Sequence, residues 1–133
     1  MLHIHQDYLA EILDHARAGA PGEVCGILAG RDGHVTRVYR GQNVADNPRV
    51  RYEMDPRQQL DVMREVEENG EQMVAIYHSH PHSSAYPSRV DQSLAFYPDS
   101  VYIIVSLADS RPVVRAFRMV GKKIEEEEIM IDE

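Results

Sequence analysis

The apolar run Met73-Val74-Ala75-Ile76-Tyr77 leads straight into His78-Ser79-His80-Pro81, and this junction limits the possible folds more than any other stretch of the chain. The run predicts a buried strand. Side chains at i and i+2 of a strand share a face, so both imidazoles project together. Their Cα atoms lie about 6.6 Å apart at a rise of about 3.3 Å per residue. Ser79 faces the other way. Pro81 has no N–H to give a ladder, so pairing ends there and the chain turns.

Two rings converging on one point are a partial metal site, and Asp91 supplies a third donor. Ser88-Arg89-Val90-Asp91 predicts the opening of a helix that continues through Tyr97, with Ser as N-cap and an acid three residues later. Asp91 is therefore either a cap alone or a cap and a ligand. A His-x-His at the end of a buried strand, followed by an acid on the next helical turn, favours the metal. Three protein ligands with a vacant fourth position are the pattern of a catalytic zinc site. The lone Cys25 rules out a Cys-rich structural site. Zinc held this way lowers the pKa of a bound water toward about 7, and a hydrolase then needs a base. Glu23 is the candidate, a carboxylate just ahead of a buried strand where charge is costly. A solvated loop acid is the alternative, and composition alone does not separate the two.

Glu23, His78-x-His80-Pro81, Ser88 and Asp91 resemble the signature of the JAMM (MPN+) metallopeptidases. That signature is an upstream glutamate, then His-x-His, ten residues and Asp, with a serine three before the Asp. The resemblance runs over the whole chain and is to the small bacterial and archaeal members. It implies an MPN/JAMM-like, cytidine-deaminase-like α/β fold, with one mixed, largely antiparallel sheet flanked by helices. It implies His78, His80 and Asp91 as Zn²⁺ ligands with water in the fourth position, and Glu23 as general acid/base on that water. Ser88 would stabilise the oxyanion of the tetrahedral intermediate.

The implied reaction is hydrolysis of an amide or isopeptide bond after the C-terminal glycine of a ubiquitin-like or sulfur-carrier protein. The segment from Asp91 to Val101 is too short for the inserted loops of the lysine-linkage-specific enzymes. That favours a small leaving group such as cysteine over a deubiquitinase-like action on protein conjugates. Two readings from other classes share the ligand set. Two histidines and a carboxylate also serve non-haem Fe(II) oxygenases, but no cosubstrate-binding signal accompanies them here. A non-catalytic binding module with structural zinc is the other.

The chain of 133 residues reads as one domain, 1–133, long enough to bury roughly two-thirds of its unfolded surface. No apolar stretch approaches the ~20 residues of a membrane span and no signal-peptide pattern is present, so a cytoplasmic protein is expected. The net charge of −8 disfavours nucleic acid and anionic membrane as partners. Oligomeric state, a homo-oligomer included, stays open. Cys25 sits among Val24, Gly26, Ile27 and Leu28, where a thiol is a small hydrophobe rather than a nucleophile.

Leu9, Ile12, Leu13 and Ala16 form one stripe of a helix over residues 5–19. Strand 23–29 and strand 35–39 are predicted to pair as a hairpin about the turn at residues 30–33. Residues 50–54 predict a short strand. Asp55 and Pro56 open a second helix with Leu60, Met63 and Val66 on its buried face. Strands follow at 101–107 and 113–119, then a final strand to Ile131, whose four glutamates Glu125–Glu128 suggest a solvated edge. His3, His5, His15, His34 and His82 read as surface or loop residues.

Overall fold

The computed structural model describes all residues, Met1–Glu133. The chain runs β1 (Leu2–His5), α1 (Gln6–Gly19), β2 (Cys25–Arg31), β3 (His34–Arg40), α2 (Pro56–Glu68) and β4 (Gln72–His80). It continues through α3 (Arg89–Ser93), β5 (Val101–Ser106), β6 (Val113–Val120), β7 (Lys123–Glu127) and β8 (Ile129–Asp132). All eight strands join one sheet in the order β7-β6-β5-β4-β2-β3-β1-β8. Its two outermost strands are consecutive in the chain, separated only by Glu128, so the sheet must roll to bring its edges together. The sheet is mixed: β1/β3, β1/β8 and β4/β5 are parallel, and the other four pairings are antiparallel.

Alternation along the central strands assigns each helix a face. Leu28 of β2 and Ala75 and Tyr77 of β4 pack with Ile12 and Ala16 of α1. Cys25, Ile27 and Ala29, one step out of phase, pack with Val62 and Val66 of α2. Each large side chain buried here contributes about 1.5–3 kcal/mol, so both helices are fixed against the strands that carry the site. Asp55 caps α2 by accepting the amides of Arg57 and Gln58 at 2.9 and 3.2 Å.

Four expectations are corrected. Residues 50–54 form no strand; a single bridge joins Asn43 to Met54, because no neighbouring strand is in reach to extend a ladder. Leu60 is exposed and Val62 buried, so the buried stripe of α2 is rotated from the expected one. The helix after Ser88 ends at Ser93, and Tyr97 instead donates its amide to the Tyr102 hydroxyl at 3.1 Å. The final strand is two. The chain leaves β6 as β7 and breaks at Glu128, whose carbonyl accepts the Leu2 amide at 2.9 Å. It then pairs with β1 as β8. β1 is a further element, a four-residue Leu-His-Ile-His alternation that the expected elements did not include. The edge reading of the glutamates holds for β7, where Arg115 takes Glu126 through two hydrogen bonds of 2.7 and 3.1 Å.

Candidate metal centre

Four polar side chains converge where β4 ends. Glu23, His78, His80 and Asp91 are all buried, and one donor atom from each lies within 4.8 Å of the others. His78 and His80 arrive together by strand alternation, with Nε2 atoms 3.1 Å apart. Asp91 Oδ2 lies 2.9 Å from His80 Nε2 and 3.2 Å from His78 Nε2. Tetrahedral zinc with ligands at about 2.0–2.1 Å spaces its donors about 3.3 Å apart. The observed triangle is close to that, and two imidazoles with one carboxylate suit a borderline cation. The residues fit a divalent metal.

The surrounding hydrogen bonds aim these donors. His80 Nδ1 is 2.7 Å from the Ser84 carbonyl. A carbonyl only accepts, so Nδ1 carries a proton and Nε2 is the ring atom turned to the centre. There it can donate to Asp91 when the ring is protonated and offer its lone pair to a metal when it is neutral. Ser88 and Asp91 form the expected capping box: Ser88 N donates to Asp91 Oδ2 at 2.8 Å, and Asp91 N donates to Ser88 Oγ at 3.0 Å. Asp91 is thus both cap and converging carboxylate. Ser88 is exposed at the rim, and a hydroxyl that accepts the cap bond keeps its own hydrogen free to donate.

Glu23 reaches the centre from just before β2, its backbone held on both sides. Its amide donates to the Pro48 carbonyl at 2.7 Å and its carbonyl accepts from Asn43 Nδ2 at 2.9 Å. The next amide, of Val24, donates to Ser79 Oγ at 2.9 Å. Ser79 therefore faces away from the histidines, as alternation requires, and pins the glutamate segment. Glu23 Oε1 and His78 Nδ1 are buried without a hydrogen-bond partner. Such atoms are uncommon and costly, and at Glu23 the free oxygen is the one available to a reacting proton.

Charge reflects this crowding. Burial pushes the Glu23 carboxyl up, Asp91 adds to the rise and His80 opposes it, leaving it at about 7. Burial would raise Asp91 too, but hydrogen bonds from His78 and His80 and the Ser88 amide hold it well below the carboxylate range. Burial lowers His78. In His80 burial acts the same way but is outweighed by the bonds to Asp91 and Ser84, so its pKa is raised. Cys25, fully buried in β2, is pushed up to about 12 by burial and by Glu23. It has no access to the thiolate at neutral pH, which removes the cysteine-nucleophile mechanism.

Sequence reasoning missed Tyr52, whose ring stacks on His78 at a centroid distance of 4.5 Å and an angle of 26°. No motif marks it, since it lies in a loop and meets β4 only in three dimensions. Tyr52 also walls a cleft of about 470 Å³ lined by Met54, Ile76, Phe96, Tyr97 and Tyr102 among others. Arg51 to Met54 form one stretch of its wall and Leu94, Phe96 and Tyr97 a second. Gln59 Nε2 donates to Tyr97 Oη at 2.8 Å and ties α2 to the second wall. Among the other histidines, His5 accepts the Asp7 amide as N-cap of α1. His15 is half-buried, 2.7 Å from Tyr77 Oη, rather than a surface residue.

Residues 5–120 match the family model of prokaryotic homologs of the JAB domain. The chain belongs to this family. Among prokaryotic JAB proteins it is similar to a desampylase of Haloferax volcanii, 42% identical over 111 residues that cover 79% of this chain and 80% of that protein. It is 38% identical over 136 residues to a CysO-cysteine peptidase of Mycobacterium tuberculosis, covering 100% of this chain and 92% of that one. The solution structure of a protein from Desulfitobacterium hafniense superposes with a TM-score of 0.90 at 40% identity, covering 100% and 94% of the two chains. A JAB1/MPN domain protein from Archaeoglobus fulgidus shares the fold at 22% identity, with a TM-score of 0.69 and full coverage of both chains. Relatives this similar over this much of the chain place it among the JAMM-type peptidases.

Proposed function

We propose that the chain is a zinc-dependent metallopeptidase that hydrolyses the amide or isopeptide bond after the C-terminal glycine of a ubiquitin-like or sulfur-carrier protein. The observation that carries this reading is the buried triangle of His78, His80 and Asp91 with the unpaired Glu23 oxygen beside it. His78, His80 and Asp91 would hold the ion. Zinc bound there supplies a Lewis acid and brings the pKa of a coordinated water toward about 7. Glu23, buried with one oxygen free of any hydrogen bond, would take the water proton on that oxygen and return it to the departing amine. The Ser88 hydroxyl donates to the developing oxyanion from the rim. No acyl-enzyme forms, so no side chain need be a nucleophile.

The cleft beginning at Tyr52 is an apolar path to the scissile carbonyl, suited to an extended carrier tail with glycine at the reacting end. The names of two relatives, desampylase and CysO-cysteine peptidase, support a carrier-type substrate. Between Asp91 and Val101 the chain has only α3 and a short loop, which supports the small leaving group of the sulfur-carrier reading over a second folded protein.

The test is intact-mass analysis of sulfur-carrier proteins extended by cysteine beyond their terminal glycine. Each is incubated with zinc-loaded and with metal-stripped enzyme. Loss of the cysteine residue with the loaded enzyme alone is expected. Carriers left whole while isopeptide conjugates are cut would replace the sulfur-carrier reading by the isopeptidase one. Both substrates left whole by zinc-loaded protein would favour the binding module.

A further inference from the structure

A second group of metal donors lies away from the catalytic cluster, on three strands that share none of its residues. Leu2 and Ile4 of β1 are buried, so alternation turns His3 to the opposite face. On one side of β1, His34 of β3 is the register partner of His3. Their imidazoles stack at a centroid distance of 4.1 Å with an interplanar angle of 9°. On the other side, β8 runs parallel to β1 in the register His3↔Met130 and His5↔Asp132. This puts Asp132 on the same face, and its Oδ2 reaches back to within 4.0 Å of His3 Nδ1. One donor atom from each of His3, His34 and Asp132 lies within 4.8 Å of the others. His5, the nearest other candidate, is occupied as the N-cap of α1.

We propose that His3, His34 and Asp132 form a second metal site, for a single borderline divalent cation of the Zn²⁺, Ni²⁺ and Cu²⁺ class. Two imidazoles and one carboxylate select that class over the hard cations Mg²⁺ and Ca²⁺. His34 and Asp132 are exposed and His3 is half-buried, so rotation about side-chain bonds closes the donors onto an ion without moving the strands. Three protein ligands leave the remaining positions to water, and exposure makes the ion exchangeable. Because β1 lies between β3 and β8 in the sheet, the ion would tie these three strands together.

The test counts ions. The protein is loaded with zinc and freed of excess metal, then titrated with Ni²⁺ by calorimetry, and total metal is measured by mass spectrometry. Wild type is expected to hold one ion more per chain than His34→Ala, while His82→Ala matches wild type. Asp132→Asn keeps the side-chain shape and should weaken the extra site at least tenfold. Added Ni²⁺ should raise the melting temperature of zinc-loaded wild type but not of His34→Ala, and His34→Ala should keep its peptidase activity. Equal ion counts and equal Ni²⁺ affinities in wild type, His34→Ala and Asp132→Asn would overturn the proposal. The comparison is a difference between variants, so it stands whether or not the buried centre holds zinc.

Discussion

Two groups of donors in this molecule have nearly the same composition and opposite surroundings. Glu23, His78, His80 and Asp91 are buried where β4 ends, and His3, His34 and Asp132 lie on the outer face of β1, β3 and β8. In the buried group the His78, His80 and Asp91 donors press to within 2.9–3.2 Å of one another, and Glu23 and Asp91 are driven in opposite directions along the pH scale. In the exposed group Asp132 Oδ2 stands 4.0 Å from His3 Nδ1, and water reaches His34 and Asp132 freely. The ligand chemistry is shared. Burial raises the unpaired Glu23 into the neutral range, while hydrogen bonds from His78, His80 and the Ser88 amide keep the equally buried Asp91 an anion, so pairing inside a buried pocket separates the two carboxylates. An exposed cluster of the same residues can hold an ion but is not tuned for proton transfer.

Removing a ring from each cluster should give unequal results. His78→Ala is expected to lose zinc from the buried centre and to reduce kcat/KM by at least about 10³-fold, as measured by metal content and carrier cleavage. Turnover by a zinc-free His78→Ala protein would break the distinction between the clusters.

Stability against pH sharpens it. In metal-stripped protein the Glu23 pKa rises from 4.5 to about 7 on folding, so the native state holds that proton more tightly than the unfolded chain. The associated stability is present below pH 4.5 and is lost as pH rises through 7. Glu23→Gln removes the loss. Denaturant melts should find the metal-stripped variant more stable than wild type by up to about 3 kcal/mol at pH 8, and nearly equal to it at pH 4. A variant no more stable at pH 8 would mean that Glu23 is not strained by its burial.

Ser88→Ala gives the smallest expected effect. It deletes an N-cap worth about 1 kcal/mol of stability and a proposed oxyanion donor, so kcat should fall about 10²-fold with little change in KM. A purely structural Ser88 would show the stability loss alone.

The two clusters also differ in how far the sequence discloses them. The buried one rests on local signals: an apolar strand that ends at proline, a capping box spanning four residues, and a glutamate at a strand entrance. Each element is specified by its own neighbours, so His78, His80 and Asp91 can be grouped before any tertiary contact is known. The exposed cluster depends on β1, a four-residue strand that runs into α1 without a breaker and exists by pairing with β3 and β8. Its alternation of Leu2 and Ile4 with His3 and His5 is only four residues long and runs directly into the periodicity of α1, so its histidines read as scattered surface residues. The same reason explains Tyr52, whose stacking on His78 is a contact between a loop and a strand, and the break at Glu128, where the rolled sheet requires the chain to change edges. The helix expected over 88–97 ends at Ser93; the apolar run that follows, Leu94 to Tyr97, fits a helix and a cleft wall equally well.

The account stands most directly on Glu23 acting apart from the metal ligands. Zinc content and single-turnover carrier cleavage, measured on one preparation of Glu23→Gln beside wild type, test that separation. One bound zinc at the buried centre with cleavage slowed by at least about 10²-fold is the predicted result. Cleavage at the wild-type rate by zinc-bound Glu23→Gln would contradict it.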